Sequence, residues 1–229
     1  MTTQTNLLYL GLRDYAEVLE LQRKLVDLRA RNMVPDTLII VEHPHVFTVG
    51  KTVPGETPKQ IDGVPVFRIE RGGQWTYHGL GQLVGYPILD LNARRRDIHG
   101  FLRAIEETLI LAVGGFGIVG GRGEQTGVWV GERKIASIGA AIRNWVSFHG
   151  FALNVNTDLN YFHKISPCGF HGSTMTSMKA ELGHEVNFDE VKEHVLDGFE
   201  RAFHVNLGKA APETPHVRIT STVPSNHAT

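Results

Sequence analysis

The stretch Lys134-Ile135-Ala136-Ser137-Ile138-Gly139-Ala140-Ala141-Ile142-Arg143, with His149-Gly150-Phe151-Ala152-Leu153-Asn154-Val155 just after it, decides how the chain folds. Apolar residues alternate along the first segment, with Ala136, Ile138, Ala140 and Ile142 on one face and Ser137, Gly139 and Ala141 on the other, the period of a β-strand. The two segments read as antiparallel strands joined by a short turn. A turn centred near Trp145-Val146 would set Lys134 opposite roughly Thr157, because antiparallel partners sum to a constant. By the same parity Lys134 closes the apolar face, where partial desolvation disfavours its ammonium unless an anion pairs with it. The small side chains leave room for a ligand against the sheet.

Upstream, residues 126–130 and the Gly131-Glu132 turn complete a hairpin with this strand. Leu38-Ile39-Ile40-Val41 and Val46-Phe47-Thr48-Val49 are β-branched runs separated by His43-Pro44-His45, a strand, a turn and a second strand; residues 66–69 and 83–88 add two more. Three helices are announced by their caps. Asp14 with Glu17 precedes Val18, Leu21, Leu25 and Leu28; Asp97 precedes Phe101, Leu102, Ile105 and Leu109, up to Gly114-Gly115; Asn187 with Glu190 precedes Val191, Val195, Phe199 and Phe203. Helices and strands do not alternate strictly, so the reading is a mixed α/β (α+β) domain with helices packed on a largely antiparallel sheet. Residues 1–207 form one domain, and 208–229, rich in Pro, Thr, Ser and His without period, a disordered tail.

At 229 residues, with 41% hydrophobic and 21% charged side chains and a net charge of -1, the chain fits one globular domain and gives no reason to expect nucleic acid. No uncharged stretch is long enough to span a membrane. A single cysteine, Cys168, and no Asn-x-Ser/Thr site suit the cytoplasm. Gly115-Phe116-Gly117-Ile118-Val119-Gly120 matches a dinucleotide fingerprint by letter but follows a helical pattern instead of a strand, so it reads as a helix stop. The twelve histidines, His43 and His45 among them, form no zinc pattern and read as scattered surface and turn residues. No metal is expected.

Two features carry chemistry. Arg71-Gly72-Gly73-Gln74-Trp75-Thr76-Tyr77-His78-Gly79-Leu80-Gly81-Gln82 holds too many glycines to pack a core and exposes many backbone N–H donors beside one fixed cation, the composition of a ligand-binding loop; a plain Gly-rich connection is the alternative. Cys168 lies between Pro167 and Gly169 outside any periodic segment. A lone cysteine is commonly a small buried hydrophobe. On a stiff turn near a cation, its thiol would instead ionise more readily, and Lys134 is a candidate for that cation. Arg94-Arg95-Arg96 offers a local basic patch.

Glu42-His43-Pro44, the Arg71 to Gly79 loop, Gly127-Val128-Trp129-Val130, Lys134-Ile135-Ala136-Ser137-Ile138-Gly139, His149-Gly150-Phe151-Ala152-Leu153-Asn154-Val155 and Pro167-Cys168-Gly169, in that order, resemble the lipoyl(octanoyl) transferases. The resemblance implies the fold of the biotin and lipoate protein ligase catalytic domain and a ping-pong acyl transfer without cofactor. It implies that octanoyl-acyl carrier protein is the donor and Cys168 the nucleophile, with Lys134 lowering its pKa and relaying a proton. The acceptors would be lipoyl domains of 2-oxoacid dehydrogenases and the glycine cleavage H protein. It also implies an acyl pocket lined by Arg71, Gly72, Gly73, Gln74, Trp75, Thr76, Tyr77, His78, Ser137, Ile138, Gly139, Gly150, Phe151 and Ala152. An ATP-dependent lipoate or biotin ligase and a cysteine thioesterase are the competing activities.

Overall fold

A computed structural model describes residues 3–165 and 174–209. The chain runs β1 (Thr3–Leu12), α1 (Tyr15–Ala30), β2 (Thr37–Glu42), β3 (Val46–Gly50), β4 (Gln60–Ile61), β5 (Val64–Ile69), β6 (Trp75–His78), β7 (Gln82–Ile88), α2 (Ile98–Gly114), β8 (Gly121–Arg122), β9 (Gly127–Val130), β10 (Arg133–Arg143), β11 (Val146–Asn154), α3 (Met178–Leu182), α4 (Phe188–Phe203) and β12 (Val205–Lys209). The three expected caps are in place: the side chains of Asp14, Asp97 and Asn187 accept from backbone N–H groups of the first turns of α1, α2 and α4, satisfying donors that a helix start leaves open.

An eight-stranded sheet has the order β12-β1-β2-β7-β11-β10-β9-β8. Its β12-β1 and β1-β2 pairs are parallel and its other pairs antiparallel. Leu38 and Ile40 of β2 turn toward α2 and α4, joining Phe101, Ile105, Val191 and Phe199. Ile39 and Val41 face α1, with Val18, Leu25 and Val26. Burial on both faces is why this strand reads as a continuous apolar run. A second sheet, β4-β5-β3-β6, stands apart and packs Phe47 and Tyr77 against Phe162 and Met175.

Several expectations change. The His43–His45 turn does not pair the strands it joins but carries the chain from the large sheet to the small one. His43 is fixed at the crossing: its Nδ1 bonds the Arg13 carbonyl at 2.7 Å and its Nε2 the Tyr86 hydroxyl at 2.9 Å. His43, His78 and His149 are therefore buried, not scattered over the surface. The apolar segment within the first residues is strand β1, and ordered pairing passes the expected boundary at 207, since Asn6 pairs with Gly208 and Leu7 with Lys209. Residues 210–229 and Cys168 lie outside the described residues. The β10–β11 hairpin turns at Asn144-Trp145, both at positive φ, as a tight two-residue hairpin requires. Its register is Arg143↔Val146 and Ala136↔Leu153, two residues short of the expected one, so Lys134 does not face Thr157.

Candidate active site

Lys134 is placed by an irregularity that alternation does not reveal. The β10–β9 register shifts by one between Lys134, which pairs with Trp129, and Ala136, which pairs with Val128. The extra residue of this bulge breaks the two-residue period. Ile135 and Ala136 both enter the core beneath α2 and α4, and Lys134 lines a cleft with Ser137 and Gly139 on the opposite face, not the apolar face assigned by parity. The side chain is 3% exposed. Its ammonium donates to the Thr126 carbonyl at 3.1 Å and stands 4.9 Å from the centre of the Trp129 ring, a cation–π distance. Only a glycine at 127 lets it lie there: a Cβ on Gly127 would come 2.9 Å from Lys134 Cε and 2.7 Å from the Ala136 carbonyl oxygen. Gly127 is held in turn by its N–H, which donates at 3.2 Å to Glu106 of α2, a buried carboxylate paired with Arg103 and Arg122.

The main chain of Lys134 meets the segment that follows Cys168 in sequence. Its carbonyl accepts from the Thr176 N–H at 3.0 Å, and it forms a parallel bridge to Met175.

The cleft is narrow, with about 40 Å³ of space open to water-sized molecules. From the expected set it brings together Arg71, Gly73, Thr76, His78, Lys134, Ser137, Ile138, Gly139, Gly150, Phe151 and Ala152. Gly139 is needed against Arg71, whose Cδ would lie 3.0 Å from an added Cβ. Arg71 itself is anchored to the Thr48 carbonyl at 3.0 Å and the Thr48 hydroxyl at 2.9 Å, so the guanidinium is rigid. The other loop residues lie elsewhere. Residues 75–78 are strand β6 instead of loop, so alternate side chains point to opposite sides. Tyr77 packs with Phe47 and Phe162, with Trp75 against the same cluster, while Gly72 and Gln74 line a neighbouring groove with Gly73.

Tyr15, Ile69, Tyr86 and His149 line the cleft although sequence reasoning did not select them. Burial is the main cause that lowers the His43 pKa to about 4 and the His78 pKa to about 3, so both are neutral at pH 7. The network assigns their protons: His43 Nδ1–H donates to the Arg13 carbonyl and Tyr86 O–H donates to Nε2. Gln82 uses its amide N–H on the Tyr77 carbonyl and Asn154 Oδ1, leaving its oxygen to accept from His78 Nδ1 at 2.8 Å. Among the described residues no group of three or more His, Cys, Asp or Glu could hold a metal ion, and no helix is long and apolar enough to cross a membrane.

Residues 14–200 match the family model of the lipoyl protein ligase A/B catalytic domain. The chain belongs to that family. Among its relatives, the octanoyltransferase of Solibacter usitatus is 47% identical over 205 residues, covering 86% of this chain and 92% of its own. That of Flavobacterium johnsoniae is 43% identical over 231 residues, covering 90% of this chain and 100% of its own. The acyltransferase class expected from the motifs holds for this member of the lipoyl protein ligase A/B family. The fold is shared more widely. Lipoate-protein ligase A bound with ATP superposes with a TM-score of 0.70 at 19% identity, over 94% of this chain and 91% of that one. The biotin protein ligase of Aquifex aeolicus in complex with biotin and ATP gives 0.55 at 14%, over 87% and 70%.

A polar side chain within an apolar strand was the available signal for two of the added residues. His149 opens the run ending at Val155, and Tyr86 lies within residues 83–88. Tyr15 and Ile69 carried no such mark.

Proposed function

We propose that this chain moves an octanoyl group from acyl carrier protein, through a thioester on Cys168, to the side-chain amine of a lysine on a lipoyl domain. The acceptors are lipoyl domains of 2-oxoacid dehydrogenases and the glycine cleavage H protein, and the site of action is the cytoplasm. The observation that carries this reading is a nearly buried ammonium, Lys134, at a cleft floored by Ser137, Gly139, Gly150 and Ala152, in a chain whose relatives are octanoyltransferases. The floor carries no side chain larger than serine, and the apolar wall residues Ile69, Ile138 and Phe151 favour an acyl chain over water.

In the loading half-reaction the Cys168 thiolate attacks the donor's thioester carbonyl. The C–S bond to the phosphopantetheine sulfur breaks, and that sulfur leaves as a thiolate and takes up a proton. A cation beside Cys168 raises its thiolate fraction, and this is the role of Lys134. In transfer the acceptor's amine attacks the acyl-enzyme carbonyl and an amide forms. The amine's proton passes through Lys134 to the departing Cys168 sulfur. Exchange between thioesters is nearly isoenergetic and thioester to amide runs downhill, so no nucleotide enters.

Mass spectrometry of the protein after incubation with octanoyl-acyl carrier protein should show one octanoyl adduct on Cys168, absent from Cys168→Ala and discharged by a lipoyl domain. Product formed from free octanoate and ATP, with activity kept by Cys168→Ser, would identify a ligase. Release of free octanoate in place of transfer would identify a thioesterase.

A further inference from the structure

The cleft has a neighbour that shares its wall. A groove on the α2 side of β10 is lined by Ile98 and Leu102 of α2, by Ile138, Ala140 and Ile142, and by Gln74 on the opposite rim. Lys134, Gly73, Ile138 and Gly139 border both the groove and the acyl cleft, so the two spaces meet at the ammonium. We propose that this groove takes the phosphopantetheine arm of the acyl donor, with its phosphodiester at Arg95 and Arg96; the assignment rests on the octanoyltransferase reading.

Length and charge support it. A Cβ on Gly127 would lie 3.3 Å from Lys134 Nζ, and Gly127 pairs with Ser137, so the ammonium stands level with Ser137 along the strand. From Ser137 to Ile142 a strand advances ~17 Å at its usual rise. The arm from thioester sulfur to phosphorus is about thirteen bonds long and, extended like a peptide backbone, spans ~15 Å. Its gem-dimethyl group suits the isoleucines, and its amides suit the polar rim of Gln74, Thr52 and Gln125.

Beyond Ile142 the hairpin tip carries Trp145, and the Arg96 guanidinium lies 4.9 Å from that ring, with its Nε donating to Asn92 at 3.0 Å. Arg95 and Arg96 are both exposed. Arg94 is withdrawn from the expected basic patch: it donates to the Phe203 carbonyl at 3.3 Å and pairs with Asp36 at 3.7 Å. The acidic groups nearby are Asp36 and Asp90, both paired with Arg29, Asp97, which caps α2 through Gly100 N–H, and Glu124, on the groove lining at the Lys134 end. The outer end therefore suits an anion.

The test compares S-octanoyl-4′-phosphopantetheine with S-octanoyl-pantetheine as donors to the full-length protein, with acyl-enzyme measured by mass spectrometry. Arg95→Glu/Arg96→Glu should lower the loading kcat/KM for the phosphorylated donor about tenfold, the size of a lost charge-assisted contact, and leave that for the unphosphorylated donor unchanged. Equal effects on the two donors, or none, would overturn the assignment. So would intact loading with slowed transfer from pre-loaded protein, which would give the groove to the acceptor. Failure of the unaltered protein to load from either donor would overturn the octanoyltransferase reading beneath it.

Discussion

Replacing Gly127 by alanine tests whether the backbone of β9 places the ammonium. Two effects add. Gly127 has φ +142, a region that side-chain-bearing residues rarely adopt, with a strain of about 1–3 kcal/mol. The new Cβ would also sit 2.7 Å from the Ala136 carbonyl oxygen, a backbone atom fixed in the sheet, and overpacking of this kind costs roughly 1–3 kcal/mol. Together they cost about 2–6 kcal/mol, so with Tm moving roughly 2–4 °C per kcal/mol for a domain of this size, Gly127→Ala should melt roughly 4–24 °C lower. The larger effect is on chemistry. The methyl would come 2.9 Å from Lys134 Cε, so the side chain must move, and misplacing a reacting group by ~1 Å can slow a step ~100-fold.

Gly131→Ala is the control. Gly131 also has positive φ, +56, in the turn of the same hairpin, but an added Cβ would meet nothing within 4 Å. It should lower Tm by a few degrees and leave loading intact. Both proteins would be assayed well below their melting temperatures, with Tm from calorimetry and loading from the rate of acyl-enzyme formation. Gly127→Ala loading as fast as Gly131→Ala would refute the argument that Gly127 exists to admit Lys134.

Lys134→Ala should slow acyl loading at pH 7 by orders of magnitude, and Lys134→Arg should restore little, because a guanidinium keeps the charge but does not release a proton; loading by Lys134→Arg near the original rate would exclude the proton relay. Stability should fall as pH drops. His43 and His78 have folded pKa values of about 4 and about 3, below that of an unfolded histidine, so between about pH 6.5 and 4 the unfolded chain binds more protons and stability declines by about 1.4 kcal/mol per pH unit for each such histidine. His43→Asn should make this decline shallower in urea titrations between pH 7 and 5, and an unchanged slope would exclude His43 as a source. Ending the chain after Lys209 should be neutral, whereas ending it after His204 removes β12, exposes the edge of β1 and loses Val205, which is 2% exposed, lowering Tm by several degrees; equal Tm values would show that β12 contributes nothing.

What was legible in the sequence was local. Helix starts were readable because Asp14, Asp97 and Asn187 bond to N–H groups within three residues of themselves. The middle strands were readable because burial on both faces makes their composition uniform. Strand β1 was not: its apolar residues follow a polar start, and its parallel partners lie at residues 37–42 and 205–209, beyond any local pattern. The hairpin register failed by two residues because Trp145 occupies a positive-φ turn position, where glycine or asparagine would have marked it. His43 looked like a turn residue because the groups that make its burial tolerable, the Arg13 carbonyl and the Tyr86 hydroxyl, come from segments distant in sequence.

The placement of Lys134 depends on the same kind of non-local cause. Alternation along β10 assigns it to the helix face, and the bulge before Ala136 moves it to the cleft. That bulge is compatible with a buried ammonium because three elements meet there. Glu106 of α2 fixes the Gly127 N–H, Gly127 leaves the space, and the Thr126 carbonyl receives the ammonium proton. The Thr126 carbonyl and the Trp129 ring together orient the cation. The fold alone does not select this chemistry, since ATP-bound lipoate-protein ligase A shares it at 19% identity. On the proposed reading, Lys134 faces an acyl chain on one side and, by the groove assignment, the arm that delivers it on the other.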